Sequence, residues 1–207
     1  MERTGKWGKL LFTLGITSLG FVNCRFKSKQ TLPIYGSRAL DSVTHDTIYH
    51  HVTNFKLTDQ MGHTVTLDTF KNKIYAANFF FAACPGICKK MNSEMERVEQ
   101  VFAGNPMVKF ISYSVTPEQD SVPVLAAYAK MHDAVPYQWY FLTGDKKEII
   151  NQARFSYNLE FGNYLVHSQN ITLIDKEGYI RGVYCGILPV EMDRLIKDIK
   201  VLLKEDI

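Results

Sequence analysis

Ile74-Tyr75-Ala76-Ala77-Asn78-Phe79-Phe80-Phe81-Ala82-Ala83, running into Cys84-Pro85-Gly86-Ile87-Cys88-Lys89-Lys90-Met91, is the stretch that decides the fold. Its apolar, aromatic-rich first part reads as a buried central strand. The run breaks at Cys84-Pro85-Gly86. Beyond it Ile87, Cys88, Met91, Met95, Val98, Val101 and Phe102 recur at helical spacing. Two thiols therefore stand at a strand-to-helix junction. A helix N-terminus supplies partial positive charge and free N–H groups, which favour a thiolate. The thiolate is the form that binds metals and attacks disulfides.

The spacing of the pair carries information. Residues four apart in a regular helix have Cβ atoms about 5–6 Å apart, whereas a disulfide needs about 3.5–4.5 Å. With both cysteines helical a disulfide is strained, and with Cys84 on the loop it becomes possible. Two metal–sulfur bonds of about 2.3 Å fit with less adjustment. Cys-x-x-x-Cys thus admits both chemistries and leans towards metal, compared with the tighter Cys-x-x-Cys of redox motifs. The plain alternative is a pair of packed apolar cysteines.

Working outward, 207 residues suffice for one ordinary core, and 46% hydrophobic with 22% charged residues excludes a disordered chain. The formal net charge is +3, and Arg3, Lys6 and Lys9 against Glu2 account for most of the excess. The remainder offers no basic face for nucleic acid. Those basic residues precede the apolar run Leu10–Val22, which is shorter than the roughly 20 residues of a membrane span. Together they form a targeting segment, residues 1–23. It stops at Cys24, which resembles the lipidated cysteine of a bacterial lipoprotein signal, although Asn23 departs from the small residue usual there. Lipid anchor or uncleaved anchor, either places the rest of the chain on the extracytoplasmic face of a bacterial membrane.

Residues 24–52 read as a tether. Its last part holds His45, His50 and His51, a tract that can bind metal but is more often solvated. One α/β domain follows over 53–207. Phe55–Thr58 and His63–Leu67 read as a hairpin, and Leu67–Lys71 as a short helical piece. Val108–Val115 is a strand, Val124–Met131 a helix capped by Asp120 or Ser121, Trp139–Leu142 a strand and Lys146–Phe155 a helix. Ile171–Asp175 and Tyr179–Tyr184 make a second hairpin, with Val190–Leu203 as closing helix. Cys185, at a strand end, reads as a packed or partly exposed bystander. This order describes an α/β sandwich with a mixed sheet.

A soft metal held by two thiolates is commonly retained by a third, neutral donor, and imidazole suits both copper oxidation states. The candidate is His167, just ahead of the strand at Ile171. Taken together, Cys84-Pro85-Gly86-Ile87-Cys88 after an aromatic strand, Ser114-Val115-Thr116-Pro117-Glu118-Gln119-Asp120, Phe141-Leu142-Thr143-Gly144, and His167 ahead of Ile171-Thr172-Leu173-Ile174-Asp175-Lys176-Glu177-Gly178 form a pattern. From about Phe55 to its end the chain resembles the Sco/SenC family: membrane-tethered, thioredoxin-fold, copper-binding proteins of cytochrome c oxidase assembly. The resemblance implies a thioredoxin-like mixed sheet flanked by helices and a copper ion held by Cys84, Cys88 and His167. It also implies a monomer whose partner is the copper-accepting subunit of the oxidase. The chain departs from the family at three positions. Gly86 and Thr116 stand where the family usually has Asp, and Lys89 where it has Pro, which adds a cation near the thiols. Asp120 matches the family's second acidic position, as a helix cap or a group behind the metal ligands.

Two other functions compete. A thiol–disulfide oxidoreductase would use Cys84 as attacking thiolate and Cys88 as resolving thiol. Against it stand the three-residue spacing and the missing Pro before the Ile171 strand. A structural zinc site usually completes four ligands, and three are evident. A peroxidase would need Thr or Ser where Phe81 stands.

Overall fold

Strand β5, Ile74–Phe80, is buried at every position, which only a strand covered on both faces can be. The structure, a computed structural model, describes residue 2, residues 31–159 and residues 168–205. Cys24, His167 and nearly all of the targeting segment lie outside the described residues.

Two short hairpins come first: β1 (Arg38–Leu40) with β2 (Thr47–Tyr49), and β3 (Lys56–Thr58) with β4 (Thr64–Thr66). After β5 follow α1 (Ile87–Val101), β6 (Val108–Ser114), α2 (Val122–Met131), β7 (Trp139–Leu142) and α3 (Lys146–Asn151). Strands β8 (Asn170–Ile174) and β9 (Ile180–Cys185) and helix α4 (Pro189–Leu202) close the chain. The five-stranded sheet has the order β7-β6-β5-β8-β9. β5 runs parallel to β6 and antiparallel to β8. This is the mixed sheet flanked by helices, with an N-terminal hairpin, that the sequence indicates.

Alternation along β5 divides the interior in two. Ile74, Ala76 and Phe80 face a core built with Met91, Met95 and Val98 of α1, Leu125 of α2 and Leu195 and Ile199 of α4. Tyr75, Ala77 and Phe79 face a second core with Phe55, Leu57, Val65, Phe70, Ile149 and Tyr157.

Four features differ from expectation. β5 ends at Phe80 rather than Ala83, because the Ala82 N–H donates to the Asp120 carboxylate (3.1 Å) and leaves the ladder. Asp120 therefore does not cap α2, and Ser121, at the cap position, makes no side-chain cap bond. The helix expected over 146–155 is α-helical only to Asn151 and continues as a π-helical turn, Gln152–Ser156. That wider turn follows from tertiary bonds: Gln152 Nε2 donates to the Asn54 carbonyl (3.1 Å) and the Thr53 N–H to Ser156 Oγ (3.1 Å). Finally, residues 32–52 are more than tether. Tyr35 bridges Ile180, His51 bridges Tyr179, and Val52 is buried. The cause is a buried cation. Arg181 pairs with Asp175 and Glu205 (both 2.8 Å) and donates further to the Leu32 (2.6 Å) and Pro33 (3.2 Å) carbonyls.

Candidate metal centre

The site grows from the place where β5 gives out. Cys84 N donates to the Phe81 carbonyl (3.2 Å), closing a turn that delivers Cys84 beside the first turn of α1. Gly86 stands at the helix N-cap and has no side chain to occupy the first-turn N–H groups, and no acidic residue lies in that turn. The thiol takes the role a capping side chain would have: Cys88 N donates to Cys84 Sγ at 3.4 Å.

This geometry makes the two thiols unequal. Burial pushes the Cys84 thiol up, but the backbone N–H groups of Cys88, Gly86 and Ile87 and the Cys88 thiol together outweigh it. Cys84 therefore lies below its ordinary value of 9.0. Cys88, fully buried on the inner face of α1, is pushed up to about 12 by that burial, with the neighbouring Cys84 adding to it. Both are free thiols. One sulfur is thus presented as a partly exposed incipient thiolate. The other waits beneath it as a neutral thiol.

Behind Cys88 runs a chain of buried polar groups that sequence reading passes over. Trp139 Nε1 donates to Ser112 Oγ (2.9 Å), Ser112 Oγ to Asn78 Oδ1 (2.6 Å), Asn78 Nδ2 to Asn92 Oδ1 (2.7 Å) and Asn92 Nδ2 to Tyr128 Oη (3.0 Å). Its direction is set by the indole, which can only donate. A signal for it is present in the sequence: Asn78 interrupts an apolar strand, and Asn92 lies four residues after Cys88 on the same helix face.

His167 lies outside the described residues. The register Ala77↔Thr172, continued antiparallel, carries Gln169 and Ser168 towards the end of β5 from which the Cys84 loop leaves. Cys185 ends β9 at the same end of the sheet, its Sγ 3.9 Å from Gln169 Oε1. His50 and His51 are elsewhere: His50 Nε2 contacts the Ser156 carbonyl (3.0 Å), and His51 sits by the β8–β9 turn. Lys89 is exposed. Among the described residues no group of three or more His, Cys, Asp or Glu could hold a metal, and no helix is long and apolar enough to cross a membrane. What the described residues offer is two soft sulfur donors, one already biased to its ligating form, and that donor chemistry fits a thiophilic ion such as copper.

The SCO1/SenC family model matches residues 44–204. The chain belongs to the SCO1/SenC family. The SCO1 protein homolog of Bacillus subtilis (strain 168) is 29% identical over 162 residues, covering 75% of this chain and 84% of that one. Among solved structures, BsSco superposes with a TM-score of 0.66 at 28% identity, over 75% of this chain and 95% of its own. It is described as a member of the Sco family of cytochrome c oxidase assembly proteins and as having a disulfide switch. Bradyrhizobium japonicum ScoI, solved with copper bound, gives 0.61 at 26% identity, over 73% and 99% of the two chains. The fold of this SCO1/SenC protein is therefore the thioredoxin-like one.

Proposed function

We propose that this SCO1/SenC protein is a membrane-tethered copper chaperone. Cys84 and Cys88 as thiolates, with the His167 imidazole, take up Cu(I) or Cu(II). The protein then passes the ion to the binuclear copper site of cytochrome c oxidase, or keeps that site's cysteines reduced. Copper here is cargo: it enters at Cys84, whose thiol loses its proton most readily. Cys88 joins once the metal's charge compensates for ionising a buried sulfur. Release is the reverse exchange onto an acceptor's ligands. The observation that carries the reading is the pairing of a thiol lowered by helix N–H groups with a second free sulfur one turn further on. Copper-bound B. japonicum ScoI supports it by kinship.

Residues 1–23 act as a signal segment and Cys24 as the lipidated residue, which holds the domain on the extracytoplasmic face. Cys24→Ser abolishes lipid attachment under this reading. Membrane-bound protein that retains the segment would mean an uncleaved anchor instead.

The deciding experiment is copper stoichiometry and affinity under reducing conditions with a competing chelator, for the wild type, Cys84→Ser, Cys88→Ser and His167→Ala. Tight binding weakened by all three changes is expected. Unchanged affinity in His167→Ala removes that residue from the site. Negligible uptake by the wild type moves the function to dithiol chemistry.

One observation favours that second reading, thiol–disulfide exchange: the thiols are unequal in the sense such exchange needs. Cys84 thiolate attacks a partner disulfide and releases one partner thiolate. Cys88 then attacks Cys84 Sγ, freeing the second partner sulfur and leaving a Cys84–Cys88 disulfide.

A further inference from the structure

The geometry points to Asp120 as the positioning residue of the Cys84 loop, setting the dithiol–disulfide balance of the cysteine pair through the Ala82 N–H. This deepens the reading above and rests on Cys84 as the working thiol, not on copper.

Asp120 is 1% exposed, and among the described residues no cation pairs with it. Its charge is met by neutral donors converging on one oxygen, Oδ2: Ser114 Oγ at 2.6 Å, Ala82 N at 3.1 Å and Thr116 Oγ1 at 3.2 Å. Bonds to an ionised acceptor are about twice as strong as neutral ones, so Ala82 is firmly held. The place matters. Val115 N donates to the Phe80 carbonyl (2.8 Å) as the last bond between β5 and β6. A further rung would use the Ala82 N–H, and the Asp120 side chain takes it instead. The chain is thereby turned out of the sheet two residues before Cys84, and the Cys84–Phe81 turn completes the placement. Asp120 is itself fixed, since its N–H and that of Gln119 both donate to the Thr116 carbonyl (2.9 Å each). In this arrangement Cys84 Sγ faces the α1 N–H groups as a free thiol, so the clamp stabilises the reduced form. Thr116 contributes as a donor here, where the family usually carries a second carboxylate.

The test uses the full-length, chelator-treated protein. Its Cys84–Cys88 dithiol–disulfide equilibrium is measured in a thiol redox buffer, and its Cys84 iodoacetamide rate at fixed pH, both read by peptide mass mapping. Asp120→Asn keeps the shape but offers the donors a neutral oxygen. It is expected to favour the disulfide about tenfold, a potential about 30 mV more negative, and to change the Cys84 rate more than threefold. Ser114→Ala and Thr116→Val remove donors without touching the carboxylate and are expected to shift the same way by less. They also decide the matter if Asp120→Asn does not fold. Glu118→Gln, on the same loop but paired with Lys146 at the surface (2.7 Å), is expected to match the wild type. The proposal is overturned if Asp120→Asn, or the donor variants in its place, leave both readouts within threefold of wild type, or if Glu118→Gln shifts them equally. Neither outcome bears on copper affinity, so its failure is distinct from failure of the chaperone reading.

Discussion

Alkylating the two site cysteines under competition tests the inequality on which both functional readings rest. Cys84 lies below 9.0 and Cys88 at about 12. At pH 7.5 their thiolate populations therefore differ by a factor of at least about 1,000. Part of this is returned, because nucleophilicity falls with pKa. With a Brønsted coefficient of about 0.4–0.5, three pH units give back about 15–30-fold. Electronic factors alone thus leave Cys84 about 30–60-fold faster, and the complete burial of Cys88 widens the gap.

The assay is a time course with limiting iodoacetamide on reduced, chelator-treated protein, quenched and read by mass on the separate Cys84, Cys88 and Cys185 peptides. Denatured protein serves as the reference in which the gap closes. Rates for Cys84 and Cys88 within tenfold of one another in the native protein would refute the reasoning. So would a faster Cys88. Either result would mean that the α1 N–H groups do not select one sulfur.

Three further outcomes are expected. Glu99, 1% exposed on α1, is raised to about 7, first by burial and then by Glu96, with the Val135 N–H opposing. Between pH 4.5 and 7 the folded state therefore holds more protons at this group than the unfolded chain, and its contribution to stability falls as pH rises. Glu99→Gln, which keeps an acceptor for Val135 N, should be about 3 kcal/mol more stable than wild type at pH 8 and no more stable at pH 4.5, by urea denaturation; equal curves at pH 8 would refute it. A Cβ at Gly86 would meet nothing within 4 Å, so Gly86→Asp should fold with stability within about 0.5 kcal/mol of wild type, since glycine is itself a fair N-cap, and should slow Cys84 alkylation as its carboxylate competes for the same N–H groups. Arg181→Met should cost about 3–5 kcal/mol by leaving Asp175 and Glu205 buried and unpaired, and should leave the Cys84 rate unchanged because the triad lies at the far end of β9.

How much of this was legible depends on where each determinant lies in the chain. β5 and α1 were readable because their signals are local: an unbroken apolar run, then apolar residues at helical spacing, with the cysteines marking the junction. The end of β5 was not, because it is decided by a carboxylate 38 residues away. Of the two roles the sequence offers Asp120, helix cap or group behind the metal ligands, the cap is excluded only by its partners in space, which belong to β6 and the Cys84 loop. The π-helical turn shows the rule again, being set by Thr53 and Asn54 across the second core. The β1–β2 hairpin leaves no apolar alternation to detect because it is exposed almost throughout, unlike the equally short β3–β4, whose Leu57 and Val65 are buried. Arg181, whose burial calls for the Leu32 and Pro33 carbonyls, looks in the sequence like any strand-edge cation.

The departures at the cysteine loop now have a physical direction. A carboxylate at position 86 would stand at the α1 N-cap, where it would accept the N–H groups and oppose charge on Cys84. With Gly86 in its place, those donors are left to the sulfur. Gly86 therefore leaves Cys84 biased towards its ionised form. Ligation and disulfide exchange both begin from that thiolate, so the bias helps each to start. They diverge at Cys88. Ligation must draw a proton from a buried thiol held near 12, and a metal ion supplies the positive charge that makes this possible. Exchange has no such help and waits on the small thiolate fraction of Cys88 for its second step. The same burial that makes Cys88 a slow resolving thiol makes it a sulfur that ionises chiefly when a cation is present.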